Sequence, residues 1–397
     1  MCPSSTSSSS PRRAAAFALR GILFLIPLAA MFAPFEWLMW KSGESWSSAK
    51  AADECMRHPE TLYMRGVLSQ QFYRYKSEMI RRKAPKLVIV GSSRVWQFRD
   101  IMMHPVESTF YNGGGMLQNL ADVESYVDEV VGGHLPKPDA VVVAIDGWWL
   151  KREPSEPGVN RAWKRMRERD ESGEVMAHLD GVREMIRKGV VPWSLAFAGR
   201  PTRSDGRRPL GLAAFAGGGF RADGSTTAHL AVEEFRLTGR YRDRENPPIV
   251  DRVRGATAQF LATPGIDPSR VDRLIEALKR LRAAGVDVRT LLPPVSTECD
   301  AALRESAVLS AWWRDVMDGL PERLRSEGFV CVAVRSPADC GLDVRSMIDG
   351  FHASEVFVTY ILERLIAGPG PWSRVDVDSL RALRKRDGVN PLTLGVP

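Results

Sequence analysis

Lys86-Leu87-Val88-Ile89-Val90-Gly91-Ser92-Ser93-Arg94 is the stretch whose reading decides the fold. Four apolar residues, two of them valine and one isoleucine, run without polar alternation and stop at a glycine. That pattern fits a strand covered on both faces, the ordinary state of a parallel sheet, rather than a strand with one wet side. Working outward, Ser108 to Asn112 reads as a second strand ending in Gly113-Gly114-Gly115, and Leu117 to Val131 as a helix. After Pro136 comes the third strand, Ala140 to Ile145. Later a helix over Val271 to Ala284 precedes a strand from Val286 to Leu292. A helical region over Leu303 to Glu327 precedes a strand from Phe329 to Val334, and an apolar helix closes the pattern over Val356 to Ile366. Strands alternating with helices predict right-handed crossovers, hence an α/β fold with a parallel sheet and helices on both faces.

The rhythm fails between 151 and 255. This region is rich in Arg, Gly and Pro, with a helical piece near Arg161–Arg187 and a loop over Gly217 to Gly224, and it reads as an insertion or lid. Lids over strand ends commonly shape a substrate site. Residues 367–397 read as a basic tail, and 40–85, polar with helical spacing, as a stalk leading into the domain.

The N-terminus predicts the compartment. Residues 1–17 form a Ser-rich leader containing Arg12-Arg13, followed by an apolar stretch that reaches from about Ala18 to Met39. Its uninterrupted core, Gly21 to Phe35, is short for a span of roughly 20 residues. Arg20 and Glu36 can snorkel, and Trp37 and Trp40 suit the far interface. Positive charge ahead of the span predicts a cytoplasmic N-terminus and an exported remainder. A cleaved signal peptide has a similar layout, but Pro34 sits badly for cleavage after Met31-Phe32-Ala33. A buried core helix is the other reading, and the basic leader argues against it.

The net charge of +7 is dispersed in short clusters without a nucleic-acid motif, so a nucleic-acid partner is not expected. Cys2, Cys55, Cys299, Cys331 and Cys340 include no close pair of the zinc-site kind, and neither metal nor cofactor is expected. In an exported chain, Cys331 and Cys340 are the first pair to consider for a disulfide, with free buried thiols as the alternative.

Ligands of open parallel sheets bind beyond the carboxyl ends of the strands. Three groups fall there. Ser92 and Ser93 follow the first strand at a helix start, where a serine hydroxyl meets free amides; taken alone, one of them reads better as a helix cap. Asp349 and His352 lie three apart before the closing helix, a spacing that lets aspartate orient an imidazole acting as general base. Asn112-Gly113-Gly114-Gly115 lets backbone amides approach a developing oxyanion, though a plain tight turn has the same composition.

Together these resemble the SGNH, or GDSL-like, hydrolase family over roughly 86–146 and 260–366. Strand–Gly91-Ser92-Ser93 stands for its first block, Asn112-Gly113-Gly114 for its second and Asp349-Gly350-Phe351-His352 for its last. The resemblance implies a three-layer flavodoxin-like sheet, with Ser93 as nucleophile, His352 as base and Asp349 as its orienter. The amides of Ser93 and Gly114 would form the oxyanion hole. The chain departs from the pattern at Ser92, where the family has Asp, and at Asp146, where it has an amide side chain. An ionised Asp146 cannot donate to an oxyanion, so it has another job, such as binding Arg94 or substrate, or the hole has two amides only. Arg94 suits a glycan carboxylate or phosphate, or a structural pair with Asp100 or Asp146. Trp148 and Trp149 suit a sugar ring or packing under the lid.

With its membrane segment, the chain looks like the tethered members that act in cell-surface polysaccharide O-acetylation or teichoic-acid D-alanylation. That resemblance implies a bacterial inner membrane with the catalytic domain outside the cytoplasm. It also implies an acylated polysaccharide or acyl-donor protein as substrate and a polytopic acyltransferase as possible partner. A non-catalytic assembly or glycan-binding subunit on the same fold is the competing expectation. A flavodoxin-like phosphate binder is a third, and Gly91–Arg94 fits it poorly for want of a Gly-rich loop with a lysine.

Overall fold

Leu87–Gly91 (β2) lies at the heart of a five-stranded parallel sheet with Phe110–Gly114 (β3), Ala140–Ala144 (β4), Asp287–Leu292 (β8) and Val330–Ala333 (β9), in the order β3-β2-β4-β8-β9. The computed structural model describes residues 11–66, 72–152, 183, 187, 206–215, 217–239, 247–385 and 392–394. Successive side chains of each strand enter different cores. Val88, Val90, Val141, Val143 and Val288 join a cluster with Phe72–Lys83 (α3), Leu120–Val131 (α4) and Pro268–Ala283 (α5). Leu87, Ile89, Ala140, Val142 and Leu291 join a second cluster with Glu355–Ile366 (α7) and Val377–Arg384 (α8). The protein is thus an α/β structure with helices on both faces of a parallel sheet.

Several boundaries move from the sequence reading. β3 runs through Gly113 and Gly114, pairing Gly91 with Gly114, because the β2 edge supplies the ladder that the glycines do not favour on their own. The single helical region expected over Leu303 to Glu327 is four pieces: Thr297–Glu305 (α6), Ser310–Arg314, a π-helical turn Asp315–Gly319 and Leu320–Ser326.

The expected stalk is corrected outright. Ser48–Arg57 (α2) and α3 are amphipathic helices whose Ala51, Ala52, Cys55, Tyr75 and Met79 are buried in the first core. The many charges of α2 and α3 occupy only the outward faces, which is why the segment reads as polar overall. Between them, Thr61–Tyr63 (β1) enters a second, four-stranded sheet, β5-β1-β6-β7, with Arg208–Leu210 (β5), Gly219–Phe220 (β6) and Thr226–Thr227 (β7). The described part of the insertion therefore builds a sheet with the supposed stalk. Most of the helix expected near Arg161–Arg187 lies outside the described residues.

Pro11–Ser42 (α1) carries the apolar N-terminus. Among the described residues no single helix is long and apolar enough to cross a membrane. The halves Ala15–Pro27 and Phe32–Ser42, bent by 58°, meet length and composition together. The bend follows Pro27, whose ring removes a helical hydrogen bond. Phe17, Leu23 and Phe24 are more than half exposed, whereas Leu38 and Met39, the last residues of the expected span, are fully buried against the domain. The Glu44 carboxylate then accepts hydrogen bonds from Gly66 N (3.0 Å) and Leu212 N (2.7 Å), and Ser42 O accepts one from Gly211 N (2.7 Å).

Candidate active site

The strand order reverses direction between β2 and β4, and the chain leaves β2 there in a tight 3₁₀ turn, Ser93–Val95. Ser92 caps that turn by accepting from Arg94 N (3.3 Å), which leaves Ser93 at its first position with the hydroxyl outward. The loop before α7 is held as a small ring: Ile348 N donates to His352 O (2.8 Å), and Ser296 N to Gly350 O (2.8 Å). Within it, Asp349 Oδ1 accepts both Phe351 N and His352 N at 2.9 Å.

The other carboxylate oxygen meets His352 Nδ1 at 2.6 Å, and His352 Nε2 meets Ser93 Oγ at 2.8 Å. Two groups 259 residues apart in sequence are thus within hydrogen-bonding distance. Burial works to raise the Asp349 carboxyl, but the His352 ring and the two backbone amides outweigh it and hold it below the usual carboxylate range. A carboxylate that stays ionised against Nδ1 keeps the proton there and leaves Nε2 free to accept one from Ser93. The Ser93 side chain and His352 ring are only partly covered, so a substrate carbonyl has access.

No family model matches this chain, and no curated protein matches it. Its chemistry is therefore read from the geometry.

The structure corrects the expected oxyanion hole. Gly114 N donates to Asn112 Oδ1 at 2.7 Å, inside a knot in which Asn112 Nδ2 donates to Val95 O (2.7 Å) and Phe98 O (2.8 Å). Asn112 is fully buried and its polar atoms are occupied by these bonds, so neither it nor Gly114 faces substrate. The glycines serve packing instead. A Cβ on Gly114 would lie 2.7 Å from Trp96 Cδ1, and one on Gly115, where φ is +89°, 3.1 Å from Trp96 Nε1. This bare backbone seats Trp96, whose indole lies parallel to the His352 ring (interplanar angle 9°, centroids 6.2 Å). The amide of Ser93, at the start of its turn, makes no hydrogen bond to a described acceptor.

Arg94 likewise does not reach substrate. Its side chain is 3% exposed, and Nη1 meets Asp146 Oδ1 at 2.9 Å. Of the two partners expected for it, Asp146 is the one found. Asp100 lies beside Asp223 instead, donating its backbone N–H to Asp223 Oδ2 (2.9 Å). Asp146 is also buried, 1% exposed, with burial raising its carboxyl against the opposing pull of Arg94, Ser92 and His352. Trp149 is buried in the first core, and Trp148, half-buried, packs on the edge of the same core beside Phe260 (6.1 Å). Trp148 also covers the Arg94 guanidinium (5.2 Å) and lies beside Phe351 (6.4 Å), the neighbour of His352.

Trp96, Arg99 and Glu355 were not singled out from sequence. Glu355, three residues beyond His352, is buried between Arg99 (3.2 Å) and Arg221 (2.9 Å), which keep it ionised against the cost of burial. This ties the start of α7 to the second sheet. The Cys331–Cys340 pair is not a disulfide. Both are free thiols, because Cys331 faces the first core and Cys340 packs against the second, on the other side of the sheet.

Proposed function

We propose that this protein is a serine esterase or O-acyltransferase of SGNH type, working through an acyl-Ser93 intermediate. The observation that carries the reading is the continuous Ser93–His352–Asp349 hydrogen-bond chain at a strand end. Ser93 Oγ attacks the acyl carbonyl while His352 Nε2 takes its proton. The proton passes to the leaving alkoxide as the C–O bond breaks, and the acyl group stays on Ser93. Water or a sugar hydroxyl then attacks that ester with His352 Nε2 taking its proton. The bond from the acyl carbon to Ser93 Oγ breaks, the proton returns to Ser93 Oγ, and the acid or the acylated sugar leaves. The Ser93 amide, which makes no hydrogen bond to a described acceptor, serves in this reading as an oxyanion donor. The strand order, 2-1-3-4-5 when the five are renumbered, is that of flavodoxin-like sheets and supports the family resemblance.

The substrate side of the reading is an exported, acylated polysaccharide or an acyl-donor protein. The bent apolar α1 supports a single bacterial inner-membrane anchor with the domain outside the cytoplasm, where a polytopic acyltransferase would be the partner. A catalytically degenerate assembly or glycan-binding subunit is the second reading. It is favoured by the loss of the Gly114 amide to Asn112 and by Asp146 in place of an amide side chain.

A fluorophosphonate separates the two. The enzyme reading expects covalent labelling that maps to the Ser93 peptide and vanishes in Ser93→Ala, together with hydrolysis of an aryl acetate. A folded chain that fails to label at Ser93 supports the scaffold.

A further inference from the structure

The histidine of a catalytic triad must be aimed, and an exposed loop aims poorly unless something grips it. The peptide linking Phe351 to His352 is gripped from both edges. Its N–H donates to Asp349 Oδ1 (2.9 Å), and its carbonyl accepts from Arg94 Nε (3.3 Å). Arg94 directly follows the nucleophile, as Phe351 directly precedes the base. The same guanidinium donates to Pro293 O and Pro294 O, both at 2.6 Å, and to Asp146 Oδ1 at 2.9 Å. The two carbonyls accept from the guanidinium, and the paired carboxylate balances its buried charge. One planar fork therefore joins the ends of β2, β4 and β8 to the histidine loop, a geometry that a lysine's single ammonium does not reproduce.

We infer that Arg94, held by Asp146, is the positioning residue that fixes the Phe351 carbonyl and thereby aims His352 at Ser93. This rests on the acyl-serine reading and explains the departure at Asp146, since the carboxylate serves the triad through Arg94 instead of donating to the oxyanion. Arg94 touches no reacting atom in this role.

The experiment compares rates of fluorophosphonate labelling at Ser93, with thermal unfolding run in parallel on the full chain. Removing only one partner leaves a buried charge and threatens the fold, whereas exchanging both for apolar residues of similar size is often tolerated. The informative variant is therefore Arg94→Met with Asp146→Leu. The expected result is a folded chain that labels about 10²-fold more slowly, the scale of a misplacement near 1 Å. Arg94→Lys should be slowed as well, and free guanidinium ion should restore part of the rate to Arg94→Ala, which keeps Asp146 as a docking partner, but not to the double variant. A purely structural pair would show no such rescue. A folded double variant labelling within about threefold of the parent overturns the inference; should that variant unfold, Arg94→Lys at the parent rate overturns it equally. A parent chain that does not label overturns the acyl-serine reading and the inference together, so the two failures are told apart.

Discussion

Asp349→Asn tests the triad with the least structural damage. Asp349 Oδ1 holds two backbone amides, and an asparagine carbonyl can keep both, so the loop before α7 should survive. The change falls on the other oxygen, which faces His352 Nδ1 at 2.6 Å. An amide nitrogen there donates where the carboxylate accepted. It therefore selects the tautomer with the proton on Nε2, which then points its N–H at Ser93 Oγ, 2.8 Å away, and cannot remove the hydroxyl proton. The equivalent exchange in a well-studied serine protease lowers the rate about 10⁴-fold with geometry intact, or about 5 kcal/mol of transition-state stabilisation at 1.36 kcal/mol per factor of ten. The assay is the second-order rate of Ser93 phosphonylation alongside aryl-acetate turnover, with near-ultraviolet circular dichroism confirming the fold. Labelling of Asp349→Asn within about tenfold of the parent would refute the reasoning, because the hydrogen-bond chain would then be incidental to the serine's reactivity.

Two further expectations concern stability. The Asp100 carboxyl is pushed up to about 7 by burial and by the negative charge of Asp223. A carboxyl raised on folding stabilises fully below its unfolded value, near 4, and loses that contribution as pH rises through about 7. Asp100→Asn should therefore gain unfolding free energy relative to the parent steadily across that window and level off above it. Urea titrations at several pH values check this, and a difference independent of pH contradicts it. Gly114→Ala places a methyl 2.7 Å from Trp96 Cδ1 and 2.8 Å from Asn112 Oδ1, so it should cost about 1–3 kcal/mol of stability by overpacking, read from the shift in urea midpoint.

What the sequence disclosed follows from how local each feature is. Of the five strands of the main sheet, β2, β4 and β9 were legible as short apolar runs, whereas β3 and β8 carry polar residues and were placed by the alternation of strands with helices around them. Asp349 and His352 were legible because their arrangement is built within four residues, with Asp349 Oδ1 accepting amides of its own loop. The hydrogen bonds of Arg94 were only half visible, since its partners lie 52, 199 and 257 residues away and no spacing encodes them. The oxyanion assignment failed at Gly114 because the direction of one amide is set by the Asn112 side chain, and glycine composition does not report it. The supposed stalk was misread because α2 and α3 hide a narrow apolar stripe among many charges, and their seat in the core exists only once β5 and β6 return to pair with β1.

The carboxylate of Glu44 has a consequence for how the protein can be divided. It sits just beyond α1 yet satisfies backbone amides at Gly66 and Leu212, which follow the carboxyl ends of the parallel strands β1 and β5. The helix end is therefore a keystone of the folded body: a chain shortened past residue 44 would leave those amides bare and open the apolar seats of Leu38 and Met39. It also means that the half of α1 beyond its bend, Phe32–Ser42, meets the folded body as a fixed joint at its carboxyl end.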